Sequence, residues 1–497
     1  MSGDFVSQLL ENLLTFEVLA ALLVGVVGGI IIGGLPGLSS TMAVALLVPV
    51  SFAMTPVAGL VMLTAIYTSA TYGGSIASIL LHTPGTPAAA ATALDGYQLT
   101  LKGQASRAIG VATVSSMIGG TISALALLFL APPLSRLSLM FSAPEYFFLA
   151  IFGLTIIGSL SGGSMIKGLL SGAMGMFLGT VGIDLLTGFP RFTFGITELE
   201  SGISLVPALI GLFSLSQVFI LLEDVFNENK VVISQKIKGA IPSREDFKKI
   251  IPVIMRSSGL GVLVGILPGA GGDVGSWIGY NEAKRFSKSK EEFGKGSVEG
   301  IAGSETANNA VTGGALIPLL TLGIPGSSTT AVLLGGLMIH GLVPGNELFT
   351  NNAHITYGVI IGFLAASILI GVFGILMAKH FVKILKVPEN VLIVVIITFC
   401  IIGSFAINNS VFDIWVMLAF GVVGYLMRKT GFAPAPVILG LILGPIAETS
   451  LGQSLSMVQG NPALFFLSRP ITVIFILLIL ISLLSPFLIK KFGKRNM

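Results

Sequence analysis

The sequence predicts an all-α polytopic membrane protein with about 10 to 14 membrane segments, some of them interrupted by breaks. Three observations carry that expectation. Of 497 residues, 53% are hydrophobic and only 10% are charged, whereas water-soluble chains carry about 25% charged residues. The mean hydropathy is +0.95. Apolar runs recur from one end of the chain to the other, and they are near-continuous rather than alternating, which argues against an outer-membrane barrel. No polar stretch is long enough to form a separate catalytic domain.

The runs come in order at 16–32, 57–70, 108–130, 146–160, 168–181 and 203–222. A basic polar stretch follows at 223–249, holding Lys230, Lys236, Lys238, Arg244, Lys248 and Lys249. A second charged stretch, 281–299, carries Lys284, Arg285, Lys288, Lys290 and Lys295. Further runs lie at 301–322, 332–342, 355–378, 391–407, 414–427, 436–443 and 471–489, and the tail ends with Lys490, Lys491, Lys494 and Arg495. Basic residues mark cytoplasmic loops, so both charged stretches and the C-terminus are expected in the cytoplasm. The first basic residue of all is Lys102, which places the N-terminus outside. No cleavable signal is expected, because the start lacks a positive region. The net charge of +4 reports topology rather than a nucleic-acid partner. The single cysteine, Cys400, lies in an apolar run and is expected to be packing.

An internal repeat organises these runs. Residues 33–41 read GGLPGLSST and residues 265–273 read GILPGAGGD. Downstream come TSATYGGSIASILLHTPGTPAAA from Thr68 and NNAVTGGALIPLLTLGIPGSSTTA from Asn308. Pro36 aligns with Pro268 and Pro84 with Pro325, at offsets of 232 and 241 residues. About three Pro-Gly pairs are expected from the abundances alone, and five occur. Four of them interrupt apolar runs in matched pairs; the fifth, Pro344-Gly345, reads as an ordinary turn. The expected division is a first half at 1–222, a basic linker at 223–249, a second half at 250–447, and a C-terminal segment with its tail at 448–497.

Proline removes a backbone donor and clashes with the preceding helical turn, and glycine frees the path beside it. Broken backbone at bilayer depth is tolerated only inside protein or beside a wet cavity. Matched breaks in two halves are the pattern of secondary transporters built from inverted repeats with a midplane site. Small polar residues follow each break, suited to cap a resuming half-helix whose free N–H groups attract an anion. The candidate substrate residues are therefore Gly37, Ser39, Ser40, Gly85, Thr86, Gly269, Gly326, Ser327 and Ser328. Asn308 and Asn309 join them because amides both donate and accept. Asp273 and Glu305 are candidates for ion coupling, since carboxylates at membrane depth are functional by default. His82 is a weaker relay candidate. No arginine lies between the paired breaks, so a bound anion would rely on N–H groups, hydroxyls, amides and a co-bound cation. The chain lacks GxxxxGK[ST] and HExxH, and neither an enzyme, a metal site nor a cofactor is expected.

Residues 293–337, FGKGSVEGIAGSETANNAVTGGALIPLLTLGIPGSSTTAVLLGGL, resemble the signature region of the large membrane subunit of tripartite tricarboxylate transporters. GGLPGLSSTMAVALLVPVSF and YGGSIASILLHTPGTPAAAATALDGY are similar to the same family, and the likeness covers essentially the whole chain. It implies an inner-membrane, ion-gradient-driven importer of citrate or related carboxylates with sodium or proton coupling. It also implies a small partner subunit of roughly four membrane helices, a periplasmic solute-binding protein, and an elevator-like fold in lipid. One departure is visible: the family's Pro-Glu pair ahead of Asn-Asn is Ser304-Glu305 here. A stand-alone carboxylate carrier, or a channel or scaffold, are the alternatives.

Overall fold

The computed structural model of the protein describes residues 3–83, 86–160, 164–184, 187–224, 241–385 and 387–493. The chain begins with α1 (Gly3–Leu13), α2 (Phe16–Gly34), α3 (Ser40–Phe52), α4 (Pro56–Leu81), α5 (Ala90–Leu101) and α6 (Ala105–Ser135). It continues with α7 (Ala143–Leu160), α8 (Met165–Gly179), α9 (Leu205–Leu209) and α10 (Ser216–Asp224). Next come α11 (Arg244–Ile266), α12 (Gly271–Phe286), α13 (Val298–Leu322), α14 (Ser328–Ile339), α15 (Asn346–Phe349) and α16 (Ala353–Met377). The last elements are α17 (Phe381–Ile384), α18 (Glu389–Asn408), α19 (Val411–Lys429), α20 (Ala435–Met457), α21 (Pro462–Leu467) and α22 (Pro470–Gly493). Among the described residues, eight helices are long and apolar enough to cross a membrane, and five shorter apolar helices accompany them. One exception to the all-helical expectation is a two-stranded antiparallel pair, β1 (Gly182–Ile183) with β2 (Pro190–Arg191). Lys230, Lys236, Lys238, Lys494 and Arg495 lie outside the described residues.

Two compact units are assembled across the length of the chain. One takes residues 1–135 and 217–407, the other 136–216 and 408–497. Each unit therefore draws one segment from the early part of the sequence and one from the late part.

In the first unit α2 lies against α4 along a ridge of glycines four residues apart. A Cβ at Gly25 would stand 2.7 Å from the Ala65 Cβ, one at Gly29 2.7 Å from the Ser69 Cβ, and one at Gly33 2.2 Å from the Ala70 carbonyl oxygen. Small residues let two membrane helices approach until their backbones touch. α11 and α13 meet in the same manner: a Cβ at Gly261 would stand 2.5 Å from the Ala307 carbonyl, and one at Gly265 2.6 Å from that of Val311. α4 and α13 are buried along nearly their whole length. Cys400 is buried without a partner thiol, as packing requires.

In the second unit the C-terminal helix is held to α7 by a buried carboxylate. Glu145, 3% exposed, accepts from Arg469 Nη1 at 2.7 and 3.0 Å, from the Ser142 N–H at 2.9 Å and from Thr472 Oγ1 at 2.9 Å. Breaking a buried pair strands the other charge, at a cost of about 3 kcal/mol or more. Glu145→Ala is thus expected to lower the thermal midpoint in detergent, and Glu145→Leu with Arg469→Met to recover much of it. A midpoint unchanged in the single variant would show that the pair contributes nothing.

Candidate functional site

Three of the four matched Pro-Gly pairs lie in the described residues and act locally as expected. Pro36-Gly37 separates α2 from α3, Pro268-Gly269 separates α11 from α12, and Pro325-Gly326 separates α13 from α14. Pro84 and Gly85 lie outside the described residues, between the end of α4 and the turn that opens α5. The matched glycines share one backbone state, with φ of +81° at Gly37 and +79° at Gly269. That left-handed region disfavours any residue with a Cβ. Pro344-Gly345 forms a turn between α14 and α15, and its Gly345 N–H donates to the Leu320 carbonyl at 2.9 Å.

All of the site lies within the first unit. Ser39 is the N-cap of α3, its Oγ accepting from the Met42 N–H. Ser327 is the N-cap of α14 and forms a reciprocal capping box with Thr330. The expected capping fails at the other two breaks. Ala270 occupies the N-cap position of α12 and offers no side-chain oxygen, and Thr86 makes no cap bond. Asp273 is the third residue of α12 and is exposed.

Contacts between the breaks bring these helix starts together. Thr329 Oγ1 lies 3.2 Å from Ser40 Oγ and 2.9 Å from Thr41 Oγ1, joining the start of α3 to that of α14. The Gly269 N–H donates to the Gly326 carbonyl at 3.0 Å. A Cβ at Gly271 would be 3.8 Å from the Ser327 Cβ, and one at Gly272 3.4 Å from the Ala88 Cβ. Thr86 Oγ1 would lie 3.3 Å from a Cβ on Gly74. Four chain segments that begin helices, at α3, α12, α14 and the turn opening α5, therefore surround one region. Gly37 and Ser328 are exposed there, and Ser39, Ser40 and Ser327 are half-buried. No lysine, arginine or histidine is among these residues.

Asn308 reaches the same region from α13. It is 1% exposed, and its Oδ1 would stand 2.4 Å from a Cβ on Gly272. Both its Oδ1 and its Nδ2 are buried without a hydrogen-bond partner, as is Thr86 Oγ1. Buried polar atoms normally find partners, so these three stand out among the described side chains. Asn309 faces elsewhere: its Oδ1 accepts from Thr68 Oγ1 at 3.4 Å, while its Nδ2 is unpartnered. Sequence reasoning missed Tyr67, whose hydroxyl lies 3.4 Å from Ser327 Oγ. Tyr67 sits inside the run 57–70, where an aromatic reads as core.

Among the described residues no hydrogen bond links Glu305 with Asp273, which sits exposed at the start of α12. Glu305 is fully buried, and Thr92 Oγ1 and Ser116 Oγ (3.0 Å) donate to its two carboxylate oxygens. His82 ends α4 in a left-handed conformation with its ring 4.7 Å from that of Tyr97, which suits a helix stop. Among the described residues, no group of three or more His, Cys, Asp or Glu side chains could hold a metal ion.

The chain is similar to an uncharacterised 52.8 kDa protein of Agrobacterium vitis, encoded in the TAR-I ttuC' 3' region. The two are 38% identical over 471 residues, covering 94% of this chain and 93% of that protein. It is also 36% identical over 211 residues to an uncharacterised protein from the TAR-II ttuC' 3' region of the same organism, covering 42% of this chain and 87% of the relative. No solved structure matches it. The sequence profile of the tripartite tricarboxylate transporter TctA family matches residues 19–439. With that match over most of its length, the chain belongs to the tripartite tricarboxylate transporter TctA family and is an integral membrane subunit of a transporter.

Proposed function

We propose that this subunit is the translocation pathway of an ion-gradient-driven importer of tricarboxylates such as citrate. A periplasmic binding protein feeds it, and a small membrane subunit accompanies it. It sits in the inner membrane with its C-terminus in the cytoplasm. The observation that carries the reading is the buried, unpartnered Asn308 amide beside four converging helix starts. A helix N-terminus favours an anion by about 0.3 to 1 kcal/mol, more when partly buried, and α3, α12 and α14 each begin here. Together with hydroxyls they form an anion site that needs no arginine.

The contacts support the reading of two inverted repeats. Gly29 and Gly33 meet α4 near the carbonyls of Ile66 and Ala70, and Gly261 and Gly265 meet α13 near those of Ala307 and Val311. The first set maps onto the second by the same offsets of 232 and 241 residues that align the breaks. In such transporters broken helices from both repeats enclose the substrate at mid-membrane. Elevator-like movement of the site-bearing unit is the form of transport proposed. Sodium or a proton is the driving ion, with Asp273 and Glu305 as the coupling candidates.

The test is labelled citrate uptake into proteoliposomes holding this chain and its partners, under an imposed sodium or pH gradient. Uptake that collapses with one gradient establishes the carrier and names its ion. Flux in discrete single-channel steps would sink the carrier reading.

A further inference from the structure

We propose that Glu305 is a proton-binding site, set one helical turn from the substrate amide of Asn308 and wired to the helix start at Thr86 through α5. The inference rests on the carboxylate-carrier reading for its role in transport, but not for its chemistry. Three features of the structure carry it.

The first is burial without a counter-charge. Glu305, Thr92, Ser116 and Ser304 all have no exposed surface. An ionised carboxylate in such a place is costly unless a cation accompanies it. Several ionisable groups on the elements packed around the cage are engaged elsewhere, and Asp273 on α12 is exposed at the start of its helix. Asp95 on α5 accepts from the N–H groups of Gly294, Gly296 and Ser297 at 2.8 Å each. The hydroxyl of Tyr72 on α4 is 2.7 Å from Thr113 Oγ1. Arg107, near the start of α6, is paired with Asp246 on α11, and Glu299 on α13 accepts from Ser287. Tyr280 on α12 packs its ring 5.5 Å from that of Phe293, and Arg256 on α11 lies over Phe286.

The second is a hydrogen-bond chain that suits both charge states. Thr92 Oγ1 contacts Glu305 Oε1 and lies 2.9 Å from Ser304 Oγ. Ser304 Oγ donates to the Gly300 carbonyl at 3.0 Å. With the carboxylate ionised, Thr92 and Ser116 donate to it. When a proton arrives, the new O–H donates to Thr92 Oγ1, whose own hydrogen turns to Ser304 Oγ, while Ser304 keeps its bond to Gly300. A hydroxyl can donate and accept, so adding or removing the proton leaves no group in this chain unpaired. A hard cation instead gathers several oxygen lone pairs around itself, whereas Thr92 and Ser116 contact the carboxylate as hydrogen-bond donors.

The third is position. Residues three apart on a helix share a face, with Cβ atoms about 5 to 6 Å apart, which relates Glu305 to Asn308 on α13. Thr92 lies in the first turn of α5, six residues after Thr86. Loading the proton changes the strength and direction of the bond from α13 to α5, and α5 follows the turn that borders the anion site.

Infrared difference spectroscopy of the full chain in lipid vesicles, titrated across pH with and without sodium, is the direct test. The expected result is a protonated-carboxyl carbonyl band that disappears at alkaline pH, is missing from Glu305→Gln, and is unmoved by sodium. A Glu305 that is ionised throughout, or whose band sodium removes at fixed pH, overturns the proposal. That readout needs no substrate. In proteoliposomes containing the partner subunits, a pH gradient should drive citrate accumulation in the unaltered protein and leave Glu305→Gln without it. Accumulation of equal size in Glu305→Gln also overturns the proposal. If the unaltered protein moves no citrate under any gradient, the carrier reading fails while the infrared result still decides whether Glu305 holds the proton.

Discussion

Gly326→Val is expected to abolish carboxylate uptake while leaving insertion and expression intact. A Cβ at this position would stand 2.8 Å from both the Ala315 Cβ and the Gly265 carbonyl oxygen. The second neighbour is backbone and cannot rotate away. The same residue's carbonyl accepts the Gly269 N–H at 3.0 Å, so displacing it moves the start of α14 and the tip between α11 and α12 together. A shift of about 1 Å in a positioned site can cost about 100-fold in rate. Gly28→Val is the control, because nothing lies within 4 Å of a Cβ there and transport should continue. Normal uptake by Gly326→Val at normal abundance would remove these breaks from the substrate site.

Asn308→Ala is expected to separate binding from stability. If the amide served only to hold helices together, deleting it would weaken the fold. Its Oδ1 and Nδ2 have no partners, and leaving a buried polar group unsatisfied costs about 1 to 3 kcal/mol. Alanine at this position should therefore leave the thermal midpoint unchanged or raise it. Two lost hydrogen bonds to a charged ligand, at about 1.5 to 3 kcal/mol each, should weaken carboxylate binding by about 100-fold or more. Binding titration and thermal unfolding of the same preparation decide it. A destabilised variant that binds citrate normally would make Asn308 structural.

The breaks were legible because proline and glycine act on their own neighbourhood, and Gly37 and Gly269 adopt the same left-handed state that their shared motif implies. Capping was legible only where a serine stood directly ahead of the helix, as at Ser39 and Ser327. At α12 the chain resumes its helix after Ala270, and Asp273 looks like a cap in the sequence but lies inside the first turn. The cage around Glu305 was not legible at all. Thr92 and Ser116 are separated from it by 213 and 189 residues, and a lone hydroxyl in an apolar run gives no sign of which way it faces. Hydropathy also undercounts the inner helices. α4 and α13 are not among the eight helices apolar enough to cross unaided, because burial inside protein lets them keep threonine, serine, asparagine and glutamate. The pairing of Thr68 with Asn309 has a related lesson. The alignment sets Thr68 opposite Asn308, whereas in three dimensions Thr68 touches the next residue, Asn309, a contact no reading of the chain in one dimension displays.

The burial of α4 and α13 bears on how the chain is made. Neither helix is among those long and apolar enough to cross by composition, and α13 follows its neighbour α6 by more than 150 residues in the chain. Its carboxylate and amides would have to wait beside the insertion machinery until α11 and α6 could receive them. The early segment, 1–135, is therefore expected to be in place to receive α13 when it is made. A nascent chain halted just after Leu322 should keep α13 in a water-accessible, chaperone-dependent state whenever α6 is deleted.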